Sequence, residues 1–296
     1  MTISEITKGL DDCGYIASRE IAIAVSGAIN QNIPVLIEGA PGVGKTSLAQ
    51  AVAKMTGLPL YRVQFYEGLT YDKILYDYDY QKQLLTIETM RSALEQQMKK
   101  KSLDEARDIA AGINFYGEEF LIKRPIAKAF DGTVRCVLLL DELDKSSEEI
   151  EYTLLECLDE YAISVPQYGR IVCPEDKKPI IFLTSNNYRE LSDALRRRCG
   201  YLYLEPKTVD ETKKIIMKKA EVDEAVANGI ARCMDNISRL PLKQVPSIAE
   251  AITWARYLKD SGETVTTSTL DSALFMLVKT KRDRDVVKAN FSQILR

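Results

Sequence analysis

Eight residues, Gly39-Ala40-Pro41-Gly42-Val43-Gly44-Lys45-Thr46, constrain this chain more than any other stretch. They fit G-x-x-x-x-G-K-[ST], and their flanks agree with the pattern. Ile33-Pro34-Val35-Leu36-Ile37-Glu38 reads as a short buried strand. From Lys45 to Met55 the residues favour a helix, and Gly57 is placed to end it. Gly42 and Gly44 let the backbone curl so that successive N–H groups face inward, and the helix N-terminus adds its positive end. Such a loop cradles phosphate. The expected ligand set is Gly39 through Thr46 with Ser47, holding ATP; Lys45 reaches the β- and γ-phosphates and the Thr46 hydroxyl ligates Mg²⁺. The bland alternative, a glycine-rich turn that binds nothing, would not demand the lysine and the hydroxyl together.

A second feature lies at the end of another apolar strand. Val137-Leu138-Leu139-Leu140-Asp141-Glu142 places two carboxylates where open α/β sheets bind their ligands. Asp141 suits a place beside Mg²⁺, and Glu142 suits polarising the water that attacks the γ-phosphate. Asp144 and Lys145 read as the start of the next helix.

Further strands are expected near Tyr61–Tyr66, Pro179–Ser185 and Tyr201–Leu204, with helices between them, notably Ser147–Tyr161. An N-terminal helical pattern runs from Ile3 to about Asn32. This alternation predicts a five-stranded parallel α/β sheet flanked by helices. Beyond Glu205-Pro206 strand signals stop, and residues 210–234, 246–260 and 267–294 read as helices, Trp254 lying in their core. The expected division is an α/β domain over 1–206 and a small all-α domain over 207–296. The passage from Lys45 to Asp141 is longer than a minimal strand-helix repeat needs. The surplus, about 72–122, holds Tyr71, Tyr76, Tyr78, Tyr80 and a charged helix over Thr89–Ala111, in a place where partner contacts often lie.

Composition narrows the chemistry. There is no histidine, so Ser-His and Cys-His nucleophile pairs and histidine metal sites are excluded. The net charge of −3 gives no global attraction to nucleic acid or anionic lipid. Met98-Lys99-Lys100-Lys101 reads as a solvated helix end. The six cysteines form no Cys-x-x-Cys pair, which with the lack of a signal-like N-terminus leads to the expectation of a reduced, cytoplasmic chain. The longest apolar runs are too short to span a bilayer.

With the phosphate loop and Leu140-Asp141-Glu142-Leu143-Asp144-Lys145 in place, the chain resembles AAA+ ATPases, and its further matches resemble the MoxR group within them. Thr184-Ser185-Asn186 looks like the sensor-1 segment, which makes Asn186 the side chain that senses γ-phosphate. Leu191–Cys199 looks like the segment carrying the arginine finger, which assigns Arg198 to the neighbouring subunit's ATP. Gln64–Leu69, Phe120–Pro125 and Tyr188–Cys199 are similar to the CoxD branch. The resemblance implies a small helical lid, homo-oligomeric rings (usually hexamers) and chaperone-like remodelling of a client. It further implies a von Willebrand A-domain partner, and for the CoxD branch maturation of the metal centre of a molybdenum hydroxylase. One departure stands out. Pro246-Ser247-Ile248-Ala249-Glu250, where many relatives carry a sensor-2 arginine, has none, and Arg256 lies two turns further on.

Two other readings compete: a DNA-transaction ATPase, against which the acidic balance and the lack of a DNA-binding motif argue, and a nucleotide-gated assembly module with little turnover. Thr280-Lys281-Arg282-Asp283 resembles a guanine-selecting pattern, but it lies in a helical region rather than after a strand.

Overall fold

The computed structural model describes residues 1–98 and 114–295. Its strands are β1 (Val35–Gly39), β2 (Leu60–Gln64), β3 (Tyr76–Tyr78), β4 (Leu121–Lys123), β5 (Val137–Asp141), β6 (Ala162–Val165), β7 (Gly169–Val172), β8 (Ile180–Ser185) and β9 (Gly200–Leu204). Five of them build one parallel sheet in the order β2-β5-β8-β1-β9. All their carboxyl ends therefore open on one edge, and β8 stands between the phosphate-loop strand β1 and the acidic strand β5.

Every residue of β1, β5 and β8 is buried, as expected when helices cover both faces of a parallel sheet. The pleat sorts their side chains. Leu36, Leu138, Leu140, Ile181 and Leu183 join the core beneath helices Pro125–Phe130 and Glu148–Glu160. Val35, Ile37, Val137, Leu139, Ile180 and Phe182 join the core on the other face, with helices Arg19–Asn30 and Lys45–Thr56. Each such residue, fully buried, contributes about 1.5–3 kcal/mol of hydrophobic stabilisation before entropy is counted.

The expected N-terminal helix is in fact two, Ile3–Asp12 and Arg19–Asn30. Gly14 breaks it with φ at +77°, a left-handed conformation that favours glycine, and the Ser18 side chain caps the second helix by accepting the Ile21 N–H. The break matters to function because it turns Tyr15 and Ile16 toward the phosphate loop.

The surplus segment supplies the antiparallel pair β3–β4 and the helix Tyr80–Met98. That helix starts nine residues before the expected one, since Asp79 accepts the Lys82 N–H at its start. The remainder of the expected Thr89–Ala111 helix, and the run Lys99–Lys101, lie outside the described residues. A hairpin, β6–β7, follows helix Glu148–Glu160. Neither pair was expected, because strands of three or four residues carry too little periodicity to read.

After β9 the described residues are helical. The expected helix over 210–234 is two, Val209–Ala220 and Glu224–Ser238, parted where Glu221 turns left-handed and Asp223 caps its successor. The expected 267–294 helix is three: Thr267–Leu277, Lys281–Ala289 and Phe291–Ile294. Trp254, fully buried on helix Ile248–Ser261, centres their shared core. Asp283 is buried and accepts the N–H groups of Lys243 and Gln244, so the guanine-like tetrapeptide is a structural brace. No described helix is long and apolar enough to cross a membrane.

Candidate functional site

A cleft of about 530 Å³ opens between the carboxyl edge of the sheet and the helical region, a volume suited to a small ligand. From the sheet side it is lined by Pro41 to Ser47, Asp141, Glu142, Thr184 and Asn186. Cys13 to Ile16 line it from the N-terminal break, and Ser247 to Ala249 from the helical side.

The loop approaches the helical region closely. A Cβ on Gly42 would lie 2.4 Å from the Ser247 Cβ, and Gly42 has φ at +81°, so both space and backbone select glycine there. Lys45 is buried, its Nζ donating to the carbonyls of Gly39 (2.6 Å) and Ala40 (3.0 Å). Burial pushes this ammonium below the usual lysine range, while Asp144, Asp141, Glu142 and Glu38 pull the other way.

Asp141 is almost fully buried and receives donors on both oxygens. Thr184 Oγ1 donates to Oδ1 at 2.6 Å and Thr46 Oγ1 at 2.9 Å, while the Arg62 guanidinium holds Oδ2. Thr46 and Asp141, adjacent hard oxygen donors, are the groups here that fit Mg²⁺. Glu142 is left-handed (φ +59°, ψ +45°), a conformation costly for a non-glycine residue, and its N–H donates to Thr184 Oγ1 at 2.8 Å. Lys145 donates to Glu142 Oε2 at 2.7 Å and holds the carboxyl below the usual carboxylate range.

Asp144 corrects the sequence reading. Rather than opening a helix, it lies in the 3₁₀ turn Leu143–Lys145, buried, with Oδ2 accepting the N–H groups of Asn186 (3.0 Å) and Tyr188 (2.8 Å). It therefore positions the loop that carries Asn186 into the cleft. Asp144→Ala should orphan both amides and lower stability by about 1–3 kcal/mol. Asp144→Asn, which keeps an acceptor oxygen, should recover much of this. Thermal melts of the two variants, read with the turnover rate, test the point; an Asp144→Ala variant as stable and active as the parent would refute it.

The arginines divide. Arg196 donates to Glu38 at 2.7 Å, and Tyr201 donates to the same buried carboxylate at 3.0 Å, so Arg196 braces the end of β1. Arg197 is exposed. Arg198 pairs with Asp159 and donates to the Ala194 carbonyl at 2.8 Å. It does not line the cleft. Its segment is held by Glu151, buried, which accepts the Ser192 N–H at 2.9 Å and pairs with Arg189.

Among the described residues, the helical region brings no arginine to the cleft. Arg256 is exposed and donates to the Lys219 carbonyl at 3.1 Å; Lys207 and Lys219 line the cleft instead. Tyr15 also went unnoticed in the sequence: it is buried against Gly44, and burial drives its hydroxyl far above the usual tyrosine range. Only the break at Gly14 hinted at it.

Residues 34–199, more than half of the chain, match the model of the AAA domain, dynein-related subfamily. Among solved structures, the chain is similar to a lysine-to-arginine mutant of Thermotoga maritima RuvB (TM-score 0.51, 16% identity, 93% of this chain and 75% of that one). It is similar also to a proline-to-glycine mutant of the same protein (TM-score 0.50, 16% identity, 93% and 70%). At this identity the likeness concerns the fold. No curated protein matches the sequence. A phosphate loop after β1 and acids at the end of β5, both within the matching segment 34–199 that spans more than half of the chain, make this chain a member of the AAA family of ATPases, in its dynein-related subfamily.

Proposed function

We propose that the chain is a ring-forming, Mg²⁺-dependent ATPase of the MoxR kind that remodels or matures a client protein. The observation that carries this reading is the division of labour around the cleft. Lys45, Thr46, Asp141, Glu142 and Asn186 meet in it, whereas Arg198 faces elsewhere, paired with Asp159. A cleft furnished with phosphate ligands, acids and a polar sensor, but with its candidate arginine turned outward, is completed by a second copy of the chain. In this reading Thr46 and Asp141 would hold Mg²⁺, which when bound would supply positive charge against the nucleotide's phosphates. Glu142 takes the proton of the attacking water, Asn186 orients the γ-phosphate, and Arg198 of the neighbouring subunit stabilises charge in the transition state.

The segments similar to the CoxD branch support a client that is a metal enzyme and a von Willebrand A-domain partner. The resemblance to the MoxR group supports a hexameric ring, and the six cysteines without Cys-x-x-Cys spacing support a reducing, cytoplasmic setting. The lack of an arginine at the start of helix Ile248–Ser261 favours a second reading, a nucleotide-gated module with little turnover.

The test is the steady-state ATPase rate per chain as protein concentration rises. A composite site predicts a rate that climbs and then saturates. A rate independent of concentration would remove the neighbour from the mechanism, and ATP binding without turnover at any concentration would favour the gated module. Lys45→Ala serves as the control: loss of its charge-assisted phosphate contacts, each about 1.5–3 kcal/mol, should weaken ATP binding about 10²-fold or more in an equilibrium titration.

A further inference from the structure

Asp141 already has a cation. Arg62, on β2, reaches over the carboxyl edge of the sheet and sets Nε 2.9 Å and Nη2 2.6 Å from Asp141 Oδ2. The pairing is lopsided: the Asp141 side chain is 2% exposed and that of Arg62 is 41% exposed. A charge from the solvent side thus caps an anion sunk in the sheet, where an unpaired carboxylate would be costly.

The partners of Arg62 give it somewhere to go. Nη2 also donates to Gln64 Oε1 at 3.2 Å, and Gln64 Nε2 faces Glu142 Oε2 at 3.4 Å. Arg62, Gln64 and Glu142 form one polar row along the rim. The guanidinium can therefore slide toward the second acid without losing every partner.

We propose that Arg62 is a displaceable counter-ion which competes with the nucleotide-bound divalent cation for Asp141, and so sets the metal affinity of the site. Two cations at contact distance from one carboxylate repel each other. Binding of the metal–nucleotide complex accordingly drives Arg62 off Oδ2, and Arg62 holds the Asp141 carboxylate in place until then. The proposal rests on the reading of Asp141 as the acid beside the metal.

The experiment uses the full chain with ADP and Mn²⁺, following free Mn²⁺ by electron paramagnetic resonance. Arg62→Gln removes the charge and keeps a hydrogen-bonding side chain. It is expected to lower the half-saturating Mn²⁺ concentration about tenfold, the direction set by lost cation–cation repulsion. Arg62→Lys, which keeps the charge but can make only one contact, is expected to fall between it and the parent. The same Arg62→Gln variant should melt at a lower temperature without metal, and gain more from Mn²⁺·ADP than the parent does.

Unchanged or weaker Mn²⁺ binding by Arg62→Gln would overturn the competition. If Arg62→Gln does not fold, Arg62→Lys decides by the same criterion. Asp141→Asn separates the two layers of the argument. Should it bind Mn²⁺ as tightly as the parent, the metal reading of Asp141 fails; should it lose binding while the Arg62 variants match the parent, only the counter-ion role fails.

Discussion

An Arg198→Ala variant is expected to bind ATP as the parent does and to hydrolyse it about 10³-fold more slowly or worse, the range seen when a trans-acting guanidinium is removed. The reason is geometric. Arg198 follows the short helix Asp193–Arg196 and is tied to Asp159 on helix Glu148–Glu160, outside the cleft of its own chain. It can serve catalysis only after exchanging Asp159 for a phosphate presented by another subunit. Because the Asp159 pair is part-exposed, its strength is modest, and the exchange is feasible. A mixing experiment makes the prediction sharp. On the proposed composite site, Arg198→Ala chains would lack the finger but keep their cleft, whereas Lys45→Ala chains would keep the finger but lose nucleotide. Each variant alone should be nearly inactive, and a mixture should regain activity at interfaces where a Lys45→Ala neighbour offers Arg198. Full activity of Arg198→Ala alone, or absence of any recovery on mixing, would remove Arg198 from the reaction.

The second large effect belongs to Glu142→Gln. The substitution preserves shape and most hydrogen-bonding capacity while removing the basic oxygen, so ATP should bind and persist. Hydrolysis in a single turnover should slow about 10²- to 10⁴-fold, the usual contribution of a positioned base. The left-handed backbone at Glu142 sharpens this expectation, because that strain is retained in the variant and the loss then reports on the carboxylate itself. The acid limb of the pH profile gives an independent reading. Lys145 holds the Glu142 carboxyl below the usual carboxylate range, so the ionised base persists above that lowered pKa. Activity dependent on it should fade only as pH drops through the lowered value. A Glu142→Gln variant that turns over at the parental rate would shift the role of base to another group.

Much of this was legible in the sequence for a local reason. The phosphate loop is contiguous, and its glycines, lysine and threonine are required by geometry that a few successive residues create. The inner strands β1, β5 and β8 could be read because burial on both faces leaves unbroken apolar runs such as Val137–Leu140. The short antiparallel pairs β3–β4 and β6–β7 carried no such signal, since a few residues per strand span barely one or two periods. The N-terminal pattern misled because Ala17, Ile21 and Val25 continue helical spacing beyond Gly14, while the left-handed turn at that glycine interrupts the backbone itself.

Arg62, Asp144, Arg196 and Tyr15 belong to another class. Arg62 and Asp141 are far apart along the chain and meet because β2 pairs with β5; Arg196 finds Glu38 across an even longer separation. Asp144 meets the Asn186 and Tyr188 amides because the turn after β5 lies beside the end of β8. Buried polar groups must find partners, but which partner is a property of strand order, and strand order is absent from any local pattern. The sequence alone determined that this chain carries a phosphate cradle, two acids at a strand end and an alternating α/β framework. Only the tertiary structure decided that Asp141 is counter-charged by Arg62, that Asp144 holds the Asn186 loop, and that Arg198 turns away from its own cleft. The first two contacts arise when parallel pairing aligns the carboxyl ends of β2, β5 and β8 on one edge, and the third when Arg198 meets Asp159 on helix Glu148–Glu160.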